Sequence, residues 1–310
     1  MYSFYYGANI NYVDITDIVY EKCVNDNVVD IPFNDFLRSN LFTDVEYGSL
    51  KSIIVVDNFT DETKEYLHDK RILFNLDNGF NDYKKLIKPY YNNNIYNIDD
   101  PKKKLSHIHS ILSLKHGSLM QEYPEQLLAT TFLDPNAKVL ELGGNIGRNS
   151  CVMSLILNDD KNLVVVEPSK FSSSLLIENR DLNGMYFNVE RSAISNISLI
   201  QNKWKTIPGD VVLPGYTKVN TISFSDLEKK YDITFDTLVC DCEGALYYIL
   251  MNDPDMMKNI NMVIIENDYD DINHKIFVDD VFQRYGLECV YNEEGGWGPC
   301  YSSFYQVFKK

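Results

Sequence analysis

The segment Glu141-Leu-Gly-Gly-Asn-Ile-Gly147 limits what this chain can fold into more than any other. It sets an acid near the end of a predicted strand and small residues in the turn that opens a predicted helix. Glycine allows close approach to the backbone, and a helix N-terminus carries partial positive charge. A dinucleotide loop needs G-x-G-x-x-G, but counting from Gly143 the third position is Asn145 and the sixth is Arg148. The diphosphate reading therefore fails. An acid two residues before the glycine suits instead a ligand that carries an ammonium and a sulfonium, because a carboxylate meets cationic charge. The alternative without a ligand is a sharp strand-to-helix turn.

From Lys138 onward, strand and helix patterns alternate. Strands are predicted at Lys138–Leu142, Leu163–Val166, Tyr186–Val189, Thr237–Cys240 and Met262–Ile265, with a final strand at Phe304–Phe308. Helices are predicted over about Arg148–Leu157 and Ser172–Leu182, and from about Leu246, with a long irregular insertion before Thr237. Near-continuous apolar strands of this kind indicate a mostly parallel sheet covered on both faces, with ligands at the carboxyl ends of its strands.

Further candidate residues fall on that edge. Glu167-Pro168 ends the second strand, 26 residues past Glu141, where a carboxylate can accept both ribose hydroxyls of an adenosine. Ser192 and Ala193 follow the third strand and are small enough to admit an adenine ring, although an ordinary loop explains them equally well. The strand ending at Asp241 is followed by Glu243 and Gly244, and the next strand ends in Glu266-Asn267. Carboxylates this close share a proton, a cation or a metal, unless they serve as helix caps. Asp241, Glu266 and Asn267 are thus candidate ligands of a divalent cation such as magnesium.

Before this block, Leu105 to Leu133 reads as a helix leading into the sheet, with His116 as a further candidate base. Residues 1–58 read as a small β-rich unit with segments at Tyr12–Thr16, Val28–Ile31 and Ser52–Val56. Its tyrosine-glycine pattern weakly resembles an accessory domain found beside unrelated catalytic domains, which assigns no activity. Residues 59–104 read as a helical and then polar connector, and 105–310 as the catalytic domain. Trp297 lies in a turn-rich loop, as a hairpin anchor or a stacking surface for a sugar.

With 29 basic and 45 acidic residues, the net charge of −16 disfavours a nucleic-acid partner. The first residues lack signal-peptide architecture and no apolar run reaches membrane-spanning length, so a soluble cytoplasmic protein with no membrane partner is expected. Six scattered cysteines without a CxxC pair read as reduced and structural. The pattern leaves the oligomeric state open.

Taken together, these blocks resemble the FkbM-type methyltransferases, which act mainly on hydroxyl groups of sugars and natural products. The family loop D-x-G-A-N-x-G corresponds to Glu141–Gly147, its E-P to Glu167-Pro168, and its L-x-x-N-x-x-x-N to Leu176, Asn179 and Asn183. Its D-V-E-G-A-E corresponds to Asp241–Ala245, preceded by the family-like stretch Val219–Leu227. Two departures stand out: Glu141 replaces the family aspartate, and Leu246 the last acid of the second signature. The resemblance implies a Rossmann-like class I methyltransferase fold, α/β with a seven-stranded sheet, here beside the small β-rich N-terminal domain. It implies S-adenosylmethionine as cofactor, held by Glu141, Gly143, Gly144, Asn145, Gly147, Glu167, Pro168, Ser192, Ala193 and Asp241.

Methyl transfer from a sulfonium is an in-line displacement that requires an aligned, deprotonated acceptor. Asp241 with Glu243 is the expected base or cation holder, ranked above His116. The expected partner is a small-molecule or glycan acceptor. Two other classes share parts of the pattern: a nicotinamide-dependent oxidoreductase, disfavoured by Asn145 and Arg148, and a non-catalytic glycan- or partner-binding protein on a degenerate scaffold.

Overall fold

Alternate residues of short apolar strands build the centre of the molecule's larger unit. In a computed structural model, which describes residues 2–25, 27–32, 34–68, 70–77, 95, 98–202 and 205–310, the chain divides into two units. One is Met1–Asn93 with Leu182–Gly184, the other Asn94–Asp181 with Met185–Lys310.

In the first unit, β1 (Tyr2–Ala8), β2 (Asn11–Asp14), β5 (Ser52–Asp57) and β6 (Thr63–Tyr66) pair in the order β2-β1-β5-β6. Strands β3 (Val24–Asn25), β4 (Val28–Ile31) and β7 (Ile72–Asn75) form a second sheet, and helices α1 (Thr16–Lys22) and α2 (Asp35–Phe42) complete the unit. Phe4, Tyr6, Val19, Ile31, Ile53 and Phe74 meet in its core. Apolar spacing alone ends this unit at residue 58 and predicts a helical segment beyond it. Thr63–Tyr66 instead pairs with β5 and Ile72–Asn75 with β4, because partners distant in the chain bury the run Ile72-Leu-Phe74 as a strand. Of the predicted connector, 78–94 together with 96 and 97 lie outside the described residues.

The second unit opens with α3 (Pro101–Ile111) and α4 (Tyr123–Phe132). These replace the single helix expected over 105–133. Gly117 at φ +80 and Glu122 at φ +58 are left-handed and interrupt it, and the chain restarts with Pro124 in the first turn of α4.

Then come β8 (Val139–Leu142), α5 (Arg148–Ile156), β9 (Leu163–Val166), α6 (Lys170–Leu182) and β10 (Asn188–Glu190). The insertion carries β11 (Ala193–Ile194), β12 (Leu199–Asn202), β13 (Lys205–Pro208), β14 (Thr217–Val219), β15 (Thr221–Ile222) and α7 (Phe224–Tyr231). Last are β16 (Thr237–Cys240), α8 (Ala245–Asn252), β17 (Met262–Glu266), α9 (Ile272–Arg284), β18 (Glu288–Glu293) and β19 (Tyr305–Lys309).

The seven-stranded sheet runs β10-β9-β8-β16-β17-β19-β18, with β19 antiparallel to both neighbours and the remaining pairs parallel. This is the Rossmann-like, mostly parallel seven-stranded sheet expected from the sequence. Leu140, Leu142, Val164, Val166, Leu238, Cys240, Val263 and Ile265 pack with residues of α7, α8 and α9, so every second strand residue faces that layer. The chain order reverses between β8 and β16, and the crevice at their carboxyl ends is the topological switch point. Among the described residues, no helix is long and apolar enough to cross a membrane.

Candidate active site

The turn after β8 is fixed by packing before any ligand is considered. Gly143 has φ +89, and a Cβ there would lie 1.6 Å from the Asp241 carbonyl oxygen. A Cβ on Gly144 would lie 2.2 Å from Val165 Cγ1, and one on Gly147 3.0 Å from Leu176. The glycines therefore admit the neighbouring strand and helix as much as they admit a ligand. Gly143 and Gly144 both donate backbone N–H bonds to Val166 O, tying the turn to β9.

A cavity of about 660 Å³ opens at the switch point, within the range of small-molecule sites. Of the candidate site residues, Gly143, Asn145, Glu167, Pro168, Ala193, Asp241 and Glu243 line it. Glu167 is buried at its wall, with one carboxylate oxygen accepting from Asn145 N and the other from Ser169 N, each at 2.8 Å. Burial raises its pKa to about 7 against those two bonds. Each oxygen keeps a lone pair, so the group can still accept from ligand hydroxyls.

Other expected residues stand elsewhere. Glu141 does not line the cavity. It lies one residue out of phase with Leu140 and Leu142, points to the opposite face of the sheet, and accepts from Ser150 Oγ of α5 at 2.5 Å. Burial pushes it up to about 8. Gly144, Gly147 and the half-buried Ser192 also lie outside the cavity wall. His116 bonds Glu178 through Nε2 at 2.8 Å and does not line the cavity. Trp297 is 57% exposed and likewise outside.

The acids at the sheet edge regroup. One oxygen each of Glu125, Asp241 and Glu266 lies within 4.8 Å of the others. Asn267 is not part of this group: its amide nitrogen donates to Ser303 O at 2.7 Å and Gln306 Oε1 at 3.0 Å, which pins it toward β19. The expected metal set of Asp241, Glu266 and Asn267 therefore does not form. Burial raises Asp241 well above the carboxylate range, with Glu122, Asp268, Glu125 and Glu243 adding repulsion. Burial, then the hydrogen bond with Glu125 and the charge of Asp241, pushes Glu266 up to about 11.

Three features of the site were missed by sequence reasoning. Glu125 sits on the buried face of α4, one helical turn before Leu128 and Ala129; an acid in phase with the apolar positions was the available signal. Asn179 accepts from Lys115 N and His116 N and donates to His116 O and Ile146 O, joining the 115–117 loop to the turn after β8. Third, the insertion contributes Ile197, Leu199, Gln201, Thr206 and Pro208 to the cavity wall.

Three of the nine non-glycine residues with positive φ among the described residues stand near the site: Glu122, Asn145 and Glu243, at φ +58, +46 and +53. The Arg148 guanidinium, at the start of α5, is bound to Glu122 and to Gln121. All six cysteines are free thiols; Cys242 lines the cavity and Cys240 is buried beside it.

No family model matches the sequence, and no curated protein matches it. Solved structures similar to the chain include an O-methyltransferase from Bacillus cereus in complex with S-adenosylhomocysteine, at 14% identity over 72% of this chain and 97% of that one, TM-score 0.39. An O-methyltransferase from Streptomyces achromogenes with S-adenosylmethionine is 16% identical over 72% and 93%, TM-score 0.36. A ribosomal protein methylase from Lactobacillus delbrueckii subsp. bulgaricus is 14% identical over 63% and 79%, TM-score 0.39. The fold assignment rests on strand order and not on these likenesses.

Proposed function

We propose that this chain is an S-adenosylmethionine-dependent O-methyltransferase of the FkbM type that methylates a hydroxyl of a sugar or glycan. The observation that carries the reading is the buried Glu167 carboxylate on the cavity wall at the switch point, braced by Asn145 N and facing a crevice closed on the other side by Asp241. This geometry supports a ribose on Glu167, an adenine beside Ala193, and a sulfonium near Asp241 after β16.

When bound, the cofactor supplies an electrophilic methyl group attached to a positively charged sulfur. The chain's own residues do the remaining work. Asp241, lifted in pKa by burial and by its acidic neighbours, accepts the proton of the acceptor hydroxyl. Glu243, held at φ +53 on the same wall, fixes the approach of the acceptor. Leu142, Val166, Ile194 and Phe224 keep water from the displacement.

The test is methyl-labelled S-adenosylmethionine against a panel of glycans and free sugars. Label transferred to a hydroxyl, and lost in Asp241→Asn, supports the reading. Label transferred to nitrogen or carbon alone, or unchanged turnover in Asp241→Asn, refutes it.

A further inference from the structure

Three carboxyl groups from three elements, Glu125 of α4, Asp241 after β16 and Glu266 at the end of β17, converge at the sheet edge. Glu125 is 8% exposed; its carboxyl shares a hydrogen bond with Glu266, and its Oε2 is buried without a hydrogen-bond partner among the described residues. No described lysine, arginine or histidine pairs with any of the three, while the nearby Glu122 takes Arg148. Burying three carboxyls together is costly even with a proton shared between Glu125 and Glu266, and the unpartnered acceptor atom leaves room for a donor from a ligand.

We propose that Glu125, Asp241 and Glu266 form a binding site for the ammonium group of the methyl acceptor, so that the acceptor is an amine-bearing molecule such as an amino sugar. An ammonium has three donors and no acceptor, one for each carboxyl. Three N–H···O bonds of about 2.8 Å from one nitrogen reach oxygens up to about 4.6 Å apart, and the three carboxyl oxygens lie within 4.8 Å of one another. Magnesium is ordinarily held by one or two carboxylates with several waters. Glu125 and Glu266 do not line the cavity, but Asp241 belongs to both the triad and the cavity wall and is where an amine held by the three would meet the cavity. The amine, kept protonated, is the anchor and not the nucleophile. The inference rests on the methyltransferase reading and sharpens its substrate class. It also assigns Glu125 as a positioning residue that has no part in the displacement itself.

The experiment measures melting temperature with and without saturating S-adenosylhomocysteine. The probes are glucosamine against glucose, tyramine against 4-ethylphenol, and magnesium chloride. Amine probes are expected to raise the melting temperature above their uncharged counterparts, and the preference disappears in Glu125→Gln, which still binds S-adenosylhomocysteine as the wild type does. Glu266→Gln repeats the test should Glu125→Gln fail to fold. Equal effects of amine and uncharged probes, including none from either, overturn the inference. So does a magnesium response lost in Glu125→Gln, which assigns the triad to a metal. Weakening of S-adenosylhomocysteine by the same substitution, by about tenfold as for a lost charge-assisted bond, also overturns it, because the triad then holds the cofactor's own ammonium. Failure of the wild type to bind S-adenosylhomocysteine at all counts against the methyltransferase reading instead. The amine preference is read separately, in its absence.

Discussion

At the scale of single residues, the site is a set of groups held against their own preferences. Glu243 occupies the left-handed region at a cost of about 1 kcal/mol. Glu243→Asn is expected to raise the melting temperature by a few degrees, since asparagine tolerates that conformation, while lowering kcat. A variant that loses stability and keeps full turnover would show that the strain serves packing alone. Gly143 is held more tightly: Gly143→Ala places a methyl on the Asp241 carbonyl, and the variant should fail to accumulate as folded protein by circular dichroism. The motif was legible as a ligand loop, but not that its glycines are dictated by β16 and by Val165. That constraint comes from a strand nearly a hundred residues later and leaves no local mark. Glu141 illustrates the same limit. Its place in the motif suggested a ligand, and only the two-residue period of β8 sends it to the other face.

Among elements, the strands were the most legible part. Residues 163–166, 238–240 and 262–265 are unbroken apolar runs, and such a run between polar turns has few other uses. Helices α3 and α4 merged in the sequence because their apolar periodicity continues through the left-handed residues between them. β6 and β7 were read as helix because Tyr66, Leu67 and Leu73 fit a helical spacing as well as a strand. The joint between the 115–117 loop and the turn after β8 was not legible, since Asn179 does its work through four bonds to backbone that is distant in sequence. Asn179→Ala leaves those groups buried without partners, a loss of about 2 kcal/mol. It should lower the melting temperature and raise the KM for S-adenosylmethionine more than it lowers kcat. An unchanged KM would place the joint outside the cofactor's reach.

For the whole molecule, acidity is the dominant property. Glu141, Glu167 and Asp268 are raised by burial to about 8, 7 and 7. A carboxyl whose folded pKa exceeds its unfolded value binds more protons when folded. Its stabilising contribution is complete below about pH 4 and is lost as pH rises through the folded value. Denaturant midpoints are therefore expected to fall between pH 5 and pH 8 in the absence of ligand. Glu141→Gln should flatten that slope, with a gain on the order of 2 kcal/mol at pH 8 and little change at pH 5. A midpoint that rises with pH over this window contradicts the electrostatic account.

The central claim, that the crevice between β8 and β16 takes an adenosine-bearing sulfonium cofactor on Glu167, is tested most directly by calorimetric titration of wild type and Glu167→Ala with S-adenosylhomocysteine and with NAD. The account predicts one saturable site for S-adenosylhomocysteine, binding weakened at least about tenfold in the variant, and no heat with NAD. Binding of NAD without S-adenosylhomocysteine, or equal affinity of both proteins for S-adenosylhomocysteine, would contradict it.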